Sequence, residues 1–82
     1  MLPIKHRIAY EDPVSGAYFE LVFIDNPRHG KPFGWYLQDT ISGSIRSDFH
    51  LPKDEPVEMA TKHAREHCRY LGFIETRIPN GM

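Results

Sequence analysis

The stretch DEPVEMATKHAREHCRYLG, residues 54–72, decides the fold. Asp54 or Glu55 can cap a helix, Pro56 falls in the first turn where its missing N–H costs nothing, and Gly72 supplies a left-handed stop. Wound at about 100° per residue, Val57, Ala60, Ala64, Cys68 and Leu71 share one stripe, and Glu58, Lys62, Arg65 and Arg69 gather opposite. Acidic residues lead and Arg65, His67 and Arg69 trail, as the helix dipole favours, and Glu58 with Lys62 forms a supporting i, i+4 pair. The sequence thus predicts one amphipathic helix. Ala60 and Ala64 at the middle of its apolar stripe imply close approach to a surface already filled by large side chains.

That surface lies upstream. Ala17 to Asp25 is dense in aromatic and branched residues, with Phe19, Leu21 and Phe23 on one side and Tyr18, Glu20, Val22 and Ile24 on the other, the two-residue period of a strand. Weaker alternation predicts strands at Ile4–Tyr10, Gly34–Thr40, Ser44–Phe49 and Phe73–Ile78. Asp12–Gly16 and Ser42–Gly43 read as turns, and the two prolines and one glycine of residues 26–32 require a loop. The expected fold is α+β, an antiparallel sheet of four to five strands with one helix on one face, in the order β-β-β-β-α-β. Residues 1–82 form one domain, with 79–82 expected to fray.

Composition narrows the function. With 82 residues and a formal charge of −1, the chain can build one core and has no basic excess for coating nucleic acid or an anionic membrane. One cysteine, Cys68, excludes an intramolecular disulfide. No apolar run is long enough to span a bilayer, so the expected setting is reducing and cytoplasmic.

Few residues point to chemistry. His63-Ala64-Arg65-Glu66-His67 fits the H-x-x-E-H pattern in which two histidines one turn apart hold zinc and the glutamate acts as base. His63 and His67, with His50 or His29, are therefore weak metal candidates, set against the plainer reading that both imidazoles pack beside the core. A zinc enzyme also needs a third ligand and a walled cleft, which a chain this short can scarcely build beside its core. Cys68 falls on the buried stripe and reads as an inert thiol. No P-loop, dinucleotide fingerprint or Cys-x-x-Cys is present, so neither catalysis nor a cofactor is expected.

If Phe19, Leu21, Phe23, Trp35 and Leu37 face the helix, Tyr18, Val22, Ile24 and Tyr36 remain on the opposite side with nothing assigned to cover them. Arg7 and Arg46, with Lys5 and Arg77, are expected on the same side. Tyrosine and arginine around an apolar centre suit a protein interface, so the leading expectation is a non-enzymatic, accessory or inhibitor-like domain that binds a protein, a second copy of itself included, through Tyr18, Val22, Ile24, Tyr36, Arg7 and Arg46. The alternative is a nucleic-acid platform of stacked rings and basic groups, which Glu20 in its middle opposes. The element order resembles, in shape alone, that of small sheet-plus-helix DNA readers, whose strands are richer in arginine. The plain reading of the same face is a mixed surface whose apolar members lie under the 26–33 loop. Met59, His63 and Tyr70 widen the helix's apolar flank, more than the core strictly requires.

Overall fold

A computed structural model describes the backbone of residues 5–80 and the side chains of residues 7–77. Strands β1 (Lys5–Glu11), β2 (Tyr18–Ile24), β3 (Gly34–Asp39), β4 (Leu51–Pro52) and β5 (Ile74–Asn80) form one antiparallel sheet in the order β4-β3-β2-β1-β5, and helix α1 (Val57–Tyr70) joins β4 to β5. These two strands are opposite edges of the sheet, so the helix must cross all of it. Fourteen residues rising about 1.5 Å each reach about 21 Å, which matches the roughly 19 Å between the outer strands of a five-stranded sheet. Among the described residues no helix is long and apolar enough to cross a membrane.

The core lies between α1 and one sheet face. Tyr10, Phe19, Leu37, Phe49, Ala64 and Cys68 fill it, with Ile8, Ala17, Leu21, Leu51 and Phe73 packed around them. Ala60, Ala64 and Cys68 are spaced four apart and fully buried, and their small side chains bring the helix close to the ring of Phe19, itself stacked on Phe73 at 5.6 Å. The helix ends as expected, at Gly72 with φ of 82°. Its start differs: Pro56 holds the cap position with no side-chain hydrogen bond, because Glu55 is turned inward. The Glu55 carbonyl accepts the Trp35 indole N–H at 2.9 Å, and its carboxylate faces His63.

Three further expectations are corrected. Ser44–Phe49 is not a strand; only Ile45 bridges Gln38, and the fourth strand is the short Leu51–Pro52 pair. Gly34 makes that pairing possible, since its φ is 155° and a Cβ there would run into the Leu51 carbonyl oxygen. Val57 is 56% exposed rather than buried, because the first helical turn overhangs a gap in the sheet. β5 runs to Asn80, two residues past the expected end at Ile78, because His6 and Lys5 of β1 supply register partners; residues 81 and 82 lie outside the described residues. Ile4, the expected first residue of the sheet, also lies outside them.

Candidate functional site

Cross-strand partners share a face, so Val22 opposite Tyr36 and Glu20 opposite Gln38 confirm that Tyr18, Glu20, Val22, Ile24 and Tyr36 lie on the side away from the helix. They do not form an open platform. Tyr36 is 5% exposed and Ile24 7%. The hydroxyl of Tyr36 donates to the Pro32 carbonyl at 2.6 Å, and the His50 ring stacks on the tyrosine at 4.7 Å. The intervening loop has local structure of its own: Pro27–His29 forms a turn of 3-10 helix started by the Asn26 side chain, which accepts from the Arg28 N–H at 3.0 Å, and Gly30 closes it in the left-handed region. Tyr18 is half-buried, its hydroxyl donating to Glu11 at 3.2 Å, and Val22 is half-buried as well.

The arginines are dispersed. Arg7 stays on this face, 3.1 Å from Glu20. Arg77 is opposite Ile8 in the register and therefore lies on the helix face, while the Lys5 side chain lies outside the described residues. Arg46 is on neither open surface. Its guanidinium lies against the stacked rings of Phe19 and Phe73, 4.8 and 5.0 Å from their centroids, and it donates through Nε and Nη2 to both oxygens of Asp48 at 2.9 Å. Those two bonds hold the Asp48 carboxyl down at about 2, against a partial burial that opposes the shift, with His67 adding to the lowering. Arg46 is thus the pin that fastens the 41–50 segment to the core, which is why that segment needs no strand ladder. A shallow hollow of about 460 Å³ adjoins it, lined in part by Phe19, Asp39, Ser44 and Ser47, but its charged groups are already satisfied, Asp39 by the backbone N–H groups of Ile41 and Ser42.

The histidines part company. His63 Nε2 lies 3.4 Å from Glu55 and His67 Nε2 3.2 Å from Asp48, so each imidazole serves a different carboxylate. Among the described residues no group of three histidine, cysteine, aspartate or glutamate side chains is placed to hold a metal ion. Cys68 is fully buried, and burial pushes its thiol up to about 12.

What the sequence did not indicate is a split in the sheet. The strand register would pair all of β1 with β2, yet only Tyr10 with Phe19 and Glu11 with Tyr18 are joined. Ladder parity shows what is left over. The Thr40 N–H donates to the Tyr18 carbonyl and the Asp12 N–H to the Ala17 carbonyl, and hydrogen-bonding direction alternates along an antiparallel strand. The even-numbered residues of β2 therefore bond to β3, whereas Leu21 and Phe23 aim their N–H and C=O groups at β1. Ile8 aims its own toward β2, and the pair Ile8 with Leu21 does not form.

Beyond the last pair the gap opens into a cleft of about 320 Å³ lined by Arg7, Ile8, Tyr10, Glu20, Leu21, Trp35, Val57 and Thr61. Its lining comes from both sheet faces and from the first turns of α1, which places the cleft through the sheet itself. Phe23 packs edge-on against Trp35 at 5.0 Å close by. Arg7 and Glu20 form the polar rim. The Arg7 Nε sits off the line a hydrogen bond needs, and Glu20 Oε1 is buried without a donor. Sequence alternation marks which residues share a face and carries no signal for whether neighbouring strands stay paired, so the cleft had no local signature beyond the opposed charges of Arg7 and Glu20.

Comparison with protein-family models, curated proteins and solved structures finds no match to this chain. Its functional reading rests on the geometry.

Proposed function

We propose that this chain is a non-enzymatic protein-binding domain that takes an extended segment of a partner polypeptide into the cleft between β1 and β2. The observation that carries the reading is the two-pair ladder between these strands, which leaves the backbone groups of Ile8, Leu21 and Phe23 facing an apolar cleft. Adding a strand to such an edge supplies main-chain hydrogen bonds for affinity, and a side-chain pocket gives selectivity. The volume suits one or two apolar side chains. A leucine-sized group buried against Ile8, Leu21, Trp35 and Val57 contributes about 2 kcal/mol, and a backbone N–H arriving at the rim would give Glu20 Oε1 the donor it lacks. The surface first expected is narrower than this: Ile24, Tyr36 and Arg46 are held by intramolecular contacts, and Arg7 survives as part of the rim. The single, deeply buried cysteine suits a reducing, cytoplasmic setting.

The test is selection of displayed random peptides on the wild-type protein, with Val57→Arg as the counter-screen. Val57 is exposed, so its replacement is compatible with folding. Enriched peptides should alternate apolar and polar residues, bind saturably, and bind Val57→Arg at least about tenfold more weakly. Peptides that bind both proteins equally, or a selection that enriches nothing, would overturn the proposal. Tight, salt-sensitive binding of an oligonucleotide with no peptide binding would replace it by the nucleic-acid reading.

A further inference from the structure

The outer edge of β5 carries a different kind of complementarity, independent of the cleft. β5 ends the sheet, every one of its residues is in register with β1, and among the described residues nothing pairs with its other side. Ladder parity fixes which groups point outward. Phe19 faces β1, so Tyr10 and Ile8 face β2, and Arg7, Ala9 and Glu11 face β5, where they meet Ile78, Thr76 and Ile74. The outward N–H and C=O groups are therefore those of Glu75 and Arg77, and Pro79 occupies the next outward position, where its missing N–H leaves no gap in the β1 ladder.

We propose that β5 pairs antiparallel with β5 of a second copy about a two-fold axis at Thr76, making one continuous ten-stranded sheet. The sequence Ile74-Glu75-Thr76-Arg77-Ile78 is self-complementary in that register. Glu75 meets the partner's Arg77, Ile74 meets the partner's Ile78, and Thr76 meets the partner's Thr76. The two Glu75–Arg77 pairs are hydrogen-bonded pairs by parity, each exchanging two backbone bonds, and they flank a close Thr–Thr pair, an arrangement favoured across strands. Neighbouring even registers fail: an axis at Glu75 sets glutamate against glutamate, and one at Arg77 sets arginine against arginine. The ladder also ends cleanly. Pro79 would face the partner's Phe73, whose N–H is already given to the Cys68 carbonyl at 2.9 Å, so neither side strands a donor.

Exposure agrees with a covered edge. Ile74 is 53% exposed and Tyr70, just before it at the helix end, 86%. Natural sheets blunt lone edges with proline, charge or bulges; residues 74–78 hold neither proline nor bulge, and their two charges, Glu75, which also accepts from Arg65 at 2.9 Å, and Arg77, are of opposite sign and so attract across the two-fold register. The five-residue contact is small, so the dimer is weak and concentration-dependent.

Sedimentation velocity of the whole chain over a wide concentration range tests this. The wild type should pass from monomer to dimer. Glu75→Arg and Arg77→Glu should each dimerise at least about tenfold more weakly, since both set like charges opposite one another. Mixing the two single variants should restore a heterodimer, and the doubly exchanged chain (Glu75→Arg with Arg77→Glu) should dimerise like the wild type. The restoring arms distinguish pairing from misfolding. A wild type that stays monomeric at every concentration, single variants that dimerise undiminished, or folded single variants whose mixture restores nothing would overturn the proposal.

Discussion

Tyr36 and Pro32 are joined by a hydrogen bond of 2.6 Å from phenol to carbonyl, and this bond ties the 26–33 loop across the sheet face that the helix leaves bare. The loop has no buried residue of its own in its 3-10 turn, so this bond is what ties it to the buried ring, on which His50 stacks at 4.7 Å. Tyr36→Phe keeps the ring and removes the bond. It should destabilise the protein by about 1 kcal/mol in urea unfolding and expose the loop to limited proteolysis. Unchanged stability together with unchanged cleavage would mean that the loop is held by other contacts.

Acid should loosen the pin at Arg46. The Asp48 carboxyl titrates at about 2 in the fold against 3.8 ordinarily, chiefly through its hydrogen bonds from Arg46. A carboxyl depressed on folding stabilises the protein above its unfolded value and loses that contribution as pH falls through the folded one. Stability should therefore decline between roughly pH 4 and pH 2, with Asp48 responsible for about 1 kcal/mol once solvent screening at its partly exposed position is allowed for. Asp48→Asn should be less stable at neutral pH and show a shallower decline in that window. Parallel stability–pH curves for the two proteins would remove Asp48 from the account.

Much of this architecture was legible from residue pattern. The helix followed from Pro56, Gly72 and the four-residue spacing of Ala60, Ala64 and Cys68, and the β2 and β3 faces followed from strict alternation, because both signals are local. What escaped notice depends on partners distant in sequence. Arg46 read as a surface cation since its chemistry is charged; only the arrival of Phe19, Phe73 and Asp48 around it makes it a core fastener. Tyr36 and Ile24 read as uncovered because a loop rich in proline shows no period that says where it lies. Val57 read as buried because the helical stripe includes it, and periodicity is blind to where the sheet beneath a helix stops. The self-complementary order of Ile74–Ile78 was in plain view, but its meaning required knowing that β5 is an edge and which of its residues point outward.

Cys68 should be silent to thiol reagents in the native protein. It is fully buried, and burial pushes its thiol up to about 12, with nearby Asp48 adding to the rise and Arg46 opposing it. The thiolate is the reactive form, so both access and ionisation oppose attack. A disulfide reagent at mild alkaline pH should show no rapid phase with the folded chain and one equivalent of rapid reaction in denaturant. A fast native phase would place the thiol at the surface.

The split between β1 and β2 makes a prediction that neighbouring residues test against each other. Along β2, Glu20 and Val22 give their N–H groups to β3, whereas Leu21 and Phe23 point theirs into the cleft, where the pair with Ile8 does not form. All four residues belong to one strand, so differences in their amide hydrogen exchange report local bonding rather than global unfolding. Protection should alternate, with Glu20 and Val22 exchanging slowly and Leu21 and Phe23 markedly faster, and a peptide selected for the cleft should slow Leu21 and Phe23 while leaving Val22 as it was. If Leu21 is as well protected as Val22 in the unliganded chain, β1 and β2 close on each other in solution, the edge groups are already satisfied, and the cleft has nothing to offer an incoming strand.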